Sequence, residues 1–167
     1  GLQQLTQDDT KSGGDALENL MEDSPLSNFI NAERSFVVNW TSGLFRSPVI
    51  FLVVTDGCFG YVESPAHFEY LLLEGLERSD GMQSWESNLT EHFGRIAGDD
   101  YSMALVAVGW TDFASLKAAF QARGREVLHR FVVPVSASDH PGQTRQARED
   151  VWREYRKTYE AYLSGYG

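Results

Sequence analysis

The residues of this chain whose types and spacing could do chemistry concentrate in one stretch, Glu91-His92-Phe93-Gly94-Arg95-Ile96-Ala97-Gly98-Asp99-Asp100-Tyr101. A small residue, a glycine, two acids and an aromatic directly before an apolar run can form a tight turn. Backbone N–H groups are then free for phosphate and carboxylates for a metal ion. Such triplets also mark ordinary turns, so the neighbours decide. Upstream, Asp56 ends another apolar run and offers a second carboxylate. Cys58 stands beside it, but no Cys-His pair can be inferred and the residue reads as small packing. His67, His92, His129 and His140 lie far apart without metal-ligand spacing. Asn39-Trp40-Thr41 and Asn88-Leu89-Thr90 fit the glycosylation tripeptide, which has no meaning in a cytoplasmic chain.

These residues need elements to position them. Pro48 to Thr55 is an unbroken apolar, β-branched run, the pattern of a central strand covered on both faces, and Asp56-Gly57 breaks it. Tyr101 to Val108 is the next buried strand, and Val127, His129, Phe131, Val133 and Val135 alternate as a further one. Helices are expected over Asp15 to Met21 and from Ser64-Pro65, where Phe68, Leu71, Leu72 and Leu76 share one face and Glu69, Glu74 and Glu77 the other. Another runs over Met82 to Leu89, begun by a capping box of Asp80 and Gln83. Thr111 caps a helix that Gly124 stops, and Thr144 to Leu163 forms a long one with Val151, Trp152, Tyr155, Tyr159 and Tyr162 on its apolar side. Ser24-Pro25 opens a segment whose apolar residues recur at helical steps, but Phe36, Val38 and Trp40 also alternate, so residues 34–40 read as helix or strand. The order is α/β (α+β) and suits a ferredoxin-like or palm-type central sheet flanked by helices, with right-handed crossovers.

Length and composition set the bounds. A chain of 167 residues supports one domain. Residues 1–23 read as a polar lead, flexible over 1–13, with a short linker helix, and residues 24–167 as the domain. No apolar run approaches the ~20 residues of a membrane span, no targeting peptide is visible, and one cysteine excludes a disulfide framework. The expected location is cytoplasmic. Net charge is -10, with 5 basic and 17 acidic groups in residues 1–100 against 9 and 7 in residues 101–167. That balance disfavours nucleic acid and suits a solvated surface.

The stretch Glu91 to Tyr101 resembles the signature of GGDEF domains, the diguanylate cyclase family. Glu91, Arg95, Ile96, Gly98 and Asp99 match, with Ala97, Asp100 and Tyr101 as near substitutions. Pro25 to Asn31 is similar to the family's opening motif, Val133 to Ser138 stands in the place of a later strand, and Asp56 precedes Asp99 at a spacing similar to that of the two metal-binding acids. The resemblance implies a strand hairpin, His92 to Ile96 against Tyr101 to Val108, with Gly98 to Asp100 in its turn. It also implies metal held by Asp56 and Asp99, and GTP with Mg2+ where activity survives.

Departures from the family point away from catalysis. The guanine-reading residues are not evident in Asp56 to Leu71, Asp100 replaces a Glu, and Asn88 replaces the arginine of the product site at Asn88 to Glu91. The turn Ala97, Gly98, Asp99, Asp100 and Tyr101 therefore reads as vestigial, with no intact catalytic set and no resident cofactor. The leading expectation is a degenerate GGDEF domain acting as a regulatory or protein-interaction module in cyclic di-GMP signalling. Its polar lead and missing Met suggest a piece of a longer chain, and the resemblance implies a neighbour such as an EAL domain, another protein partner or a homodimer. The expected interaction face is the C-terminal helix, through Arg145, Arg148, Trp152, Arg153, Arg156 and Lys157. Two rivals stand beside this: a weakly active cyclase, and an unrelated acidic binding protein such as a toxin-neutralising partner.

Overall fold

A computed structural model describes residues 1–6, 15–21, 40, 42–137 and 141–164. The reading of residues 34–40, the opening motif at Pro25 to Asn31, Ser138 and His140 lie outside these. Within them the fold is α+β, mostly helical with a two-stranded antiparallel sheet.

Strands β1 (Val49–Val54) and β2 (Met103–Val108) pair from Val49 opposite Val108 to Val54 opposite Met103. All twelve side chains are apolar, and one face packs on the helical core while the other is largely open among the described residues, with Phe51 packed against Phe45. Ile50, Leu52, Val54, Met103, Leu105 and Ala107 pack on the helical core, whereas Val53 (73% exposed) and Val106 (58%) stand on the other face. The expected central strand, buried on both sides, is thus corrected among the described residues. An apolar run records that both faces avoid water, not which layer covers each. Among the described residues no parallel crossover occurs, because β1 and β2 run antiparallel.

Helix α1 (Ala16–Met21) begins where Asp15 Oδ1 accepts the N–H groups of Leu17 and Glu18 at 2.9 and 3.1 Å. A four-residue turn of helix, α2 (Asp56–Phe59), follows β1. Helix α3 (Pro65–Glu77) starts as its sequence demands, with Ser64 Oγ accepting His67 N–H at 3.1 Å and Pro65 in the first turn. Its buried stripe includes Glu69, which corrects the expectation of an exposed acidic face. Glu69 stands three and four residues from Leu72 and Pro65, so the 3.6-residue period turns it inward.

Helix α4 (Met82–Ile96) is longer than its apolar pattern suggests. Ser84, rather than Gln83, closes its start, taking the N–H groups of Asp80 and Gly81 and donating to Asp80 Oδ1. The helix runs through His92, Phe93 and Arg95, so the expected hairpin does not form. Trp85, Leu89, Phe93 and Ile96 continue the three- and four-residue spacing across the motif, and this period prevails over the strand reading.

Asp112, not Thr111, caps α5 (Phe113–Val127), its Oδ1 accepting Ser115 N–H at 2.7 Å. Gly124 lies inside that helix and does not stop it. A π-helical turn over Leu128–Val132 leads into α6 (Val133–Ser136), in place of the expected strand. The alternation was ambiguous: Val127, Phe131 and Val135 also recur at four-residue steps, and these three are buried while His129 and Val133 are exposed. Helix α7 (Pro141–Tyr159) and the short α8 (Ala161–Ser164) close the chain, with Trp152, Tyr155 and Tyr159 buried.

Two apolar clusters result. One lies under the sheet around Phe68, Leu76, Trp85, Phe93, Leu116 and Val127. The other joins α1 and α7 around Leu17, Ala66, Phe131, Trp152 and Tyr155.

Candidate functional site

The backbone segments that carry the acids singled out by sequence meet at one end of the strand pair. Ladder bonding continues one residue past β1, with Thr55 N–H donating to Ser102 carbonyl at 3.0 Å and Ser102 N–H to Thr55 Oγ1 at 2.9 Å. Asp56 and Gly57 then lie against Asp100 and Tyr101. The approach is so close that a β-carbon at position 57 would stand 2.2 Å from the Asp100 carbonyl oxygen. Only glycine permits this contact. Asp56 thus leaves the end of β1 directly beside the segment through which Asp99 and Asp100 enter β2.

Both acids are exposed and locally ordered. Asp56 Oδ1 accepts Gly57 N–H at 3.0 Å and Asp99 Oδ1 accepts Asp100 N–H at 2.7 Å, which leaves their second oxygens outward. Among the described residues no Lys or Arg pairs with Asp56, Asp99 or Asp100. The flank is aromatic: Tyr101 hydroxyl donates to Thr90 carbonyl of α4 at 3.0 Å, and the Tyr61 ring lies against Gly98. Ala97 ends α4, and Gly98 to Asp100 lead from that helix into β2. The turn motif therefore joins a helix to a strand, where the resemblance requires it between two strands.

Cys58 is fully buried behind this end, its thiol donating to Ser102 carbonyl at 3.4 Å, and burial pushes its pKa up. That is the packing role expected of it. Among the described residues no group of three or more His, Cys, Asp and Glu side chains converges as a metal-ligand set. Asp56 and Asp99 could supply two ligands to a hard cation, which prefers oxygen donors. A cleft of about 200 Å³ between α3 and α5, lined by Tyr70, Leu73, Glu77, Lys117, Phe120 and Leu128, includes none of these acids.

The C-terminal residues expected to form an interaction face are not gathered on one. Trp152 is buried and donates its indole N–H to Asp15 Oδ2 at 2.7 Å, and Tyr155 beside it is internal. Arg145 pairs with Glu149, Arg153 with Asp150, and Arg156 with Asp15 and Glu160. Arg148 is half-buried on the side of His67, whose pKa is lowered, first by burial. Lys157 is exposed. The aromatic stripe packs inward, while Arg145, Arg153 and Lys157 stay exposed.

Sequence reasoning missed a buried and heavily bonded carboxylate. Glu69, 4% exposed, receives Arg123 Nε and Nη2 at 2.9 and 2.7 Å and the Tyr155 hydroxyl at 2.6 Å. Arg123 is held protonated, first by its hydrogen bonds to Glu69. The pKa of Tyr155 is raised, first by burial and next by the Glu69 charge. The available signal was an acid on an apolar helical stripe, which demands a partner. No protein-family model matches the chain, and no curated protein and no solved structure matches it either.

Proposed function

We propose that this chain is a module that presents phosphate-bearing ligands to a divalent cation at the acidic end of its strand pair. Asp56 and Asp99 supply the cation's carboxylates. The observation that carries the proposal is the contact of Gly57 with the Asp100 carbonyl, which brings together the backbone of two distant acid-bearing segments whose acids pair with no basic residue among the described residues. Mg2+ is usually held by one or two carboxylates together with waters and the phosphates of its ligand, so a pair of acids suits it when the ligand completes the shell. The cation would neutralise phosphate charge and polarise a phosphoryl oxygen.

Calorimetric titration with MnCl2, with and without inorganic phosphate, tests this. Wild-type protein is expected to bind Mn2+ at submillimolar concentration, more tightly with phosphate, and Asp56→Asn and Asp99→Asn each to weaken it by about tenfold or more, the worth of one charge-assisted contact. Equal binding by all three proteins, or none by wild type, refutes it.

A second reading keeps the site but removes turnover: a regulatory or protein-interaction module in cyclic di-GMP signalling, working through a protein partner or a neighbouring domain. Its support is that Asn88, where the GGDEF family places a product-binding arginine, donates to Ser79 Oγ at 2.8 Å, while Glu91 pairs with Arg95. GTP and Mg2+ should then give no cyclic di-GMP. A product peak that disappears in Asp99→Ala contradicts this reading and leaves the cation site intact.

A further inference from the structure

A carboxylate accepts about four hydrogen bonds, and the buried Glu69 receives only three from the helical scaffold. The fourth, to Oε1, comes from the backbone N–H of Leu2 at 3.1 Å. Two residues on, Gln4 N–H donates to the carbonyl of Tyr159 at 2.8 Å. Gly1 and Gln3 face solvent while Leu2 and Gln4 turn inward, so residues 1–4 lie extended, with alternate residues turned to opposite sides. Leu2 packs where the two apolar clusters meet. The sequence reading gave residues 1–13 as a flexible lead, but residues 1–6 are seated against α3, α5 and α7.

The scaffold side of this contact is prepared for a backbone. Arg123 and Tyr155 fix the Glu69 carboxylate, the acceptor position left on Oε1 is the one Leu2 N–H takes in the seat of residues 1–4, and leaving it empty would cost the desolvation of a buried acceptor. A β-carbon at Gly1 would stand 2.8 Å from Nη2 of Arg123, a guanidinium held in place by its two bonds to Glu69, so the residue before the leucine must be small. Fixed acceptors for alternate backbone donors, one apolar anchor and a steric filter are the elements by which proteins read extended peptides. Residues 1–6, Gly-Leu-Gln-Gln-Leu-Thr, carry no charged side chain, and Glu69 is already neutralised by Arg123.

We propose that the cleft over Glu69 is a peptide-recognition site, occupied in cis by residues 1–6, which takes in trans a neutral extended segment of a partner protein with a small residue before a leucine. A tethered occupant competes at millimolar effective concentration. A partner therefore enters only by displacing it, and the cis segment sets the threshold. This site is separate from the acidic end of the strands and stands or falls independently of it.

The test uses the full chain with a site-specific protease sequence built into residues 7–14, cut after folding and dialysed. A fluorescent peptide of sequence Gly-Leu-Gln-Gln-Leu-Thr is followed by anisotropy. The cut protein is expected to keep its far-ultraviolet circular dichroism and to bind the peptide at micromolar concentration, while the uncut protein does not bind. A peptide with Leu2→Asp should bind about tenfold or more weakly, as loss of a buried leucine requires. Full-length Leu2→Asp, which opens the cleft without cutting, should bind the wild-type peptide. Unfolding of the cut chain, absence of binding to both the cut chain and the Leu2→Asp protein, or equal binding by the uncut chain overturns the proposal.

Discussion

Two groups of acids sit at opposite extremes of this molecule. Glu69 is buried, bound bidentately by Arg123 and hydrogen-bonded by Tyr155. Asp56, Asp99 and Asp100 are exposed at a strand end, where Asp56 and Asp99 each accept the next residue's backbone N–H and no basic residue pairs with the three among the described residues. A carboxylate taken out of water must have its charge matched within the fold, and the fold then depends on it. An acid left in water costs the fold little, so its charge is available to something outside. The comparison assigns Glu69 to architecture and the strand-end acids to ligands.

Stability measurements can break that assignment. Glu69→Ala removes both of Arg123's buried bonds, leaving it only Glu126 at the surface, and strips the Tyr155 hydroxyl of its acceptor, so it should cost about 3–5 kcal/mol in denaturant unfolding, the range for breaking a buried pair. A loss below 1 kcal/mol, on the order of an exposed pair, would put Glu69 among the surface acids. Gly57→Ala should cost about 1–3 kcal/mol, as overpacking does, because its β-carbon meets the Asp100 carbonyl. That variant should also weaken Mn2+ binding, since it pushes Asp56 away from Asp99. Full stability in Gly57→Ala would mean that the two segments are not held together.

Tyr155 sharpens the same comparison through pH. Its pKa is raised in the fold, first by burial, so the folded state keeps a proton that the unfolded chain releases near pH 10. The unfolded state then binds fewer protons, and the stability present below about pH 10 is lost as pH rises beyond it. Tyr155→Phe should reduce that alkaline slope, leaving the part due to Cys58 and Tyr70, whose pKa values burial also raises. An unchanged slope would show that the phenol is not the group responsible. The smallest effects belong to Asp56→Ala and Asp99→Ala, within about 0.5 kcal/mol of wild type, as surface substitutions are.

What was legible in the sequence follows the same division between local and tertiary information. Helices with local caps were readable: Asp15, Ser64-Pro65 and the α7 stripe stand where their spacing puts them. So was β1. The pairing of β1 with β2 alone, and its bare face at Val53 and Val106, was not, since apolar runs carry no record of the layer above them. Two periods competed over Val127 to Val135 and over His92 to Ile96, and helical packing won both. The motif at Ala97 to Tyr101 was given the wrong preceding element, a strand where the helix α4 stands. Glu69 was assigned to solvent because its partners, Arg123 and Tyr155, lie far along the chain.

The central claim, that the strand-end acids hold a divalent cation, is tested most directly by residue-resolved paramagnetic broadening. Traces of Mn2+ added to 15N-labelled protein should broaden the amide signals of Gly57, Asp99, Asp100 and Tyr101 first, leave those of α3 and α7 sharp, and lose this selectivity in Asp99→Asn. Broadening spread evenly over the acidic surface, or centred elsewhere and indifferent to Asp99→Asn, would contradict the account.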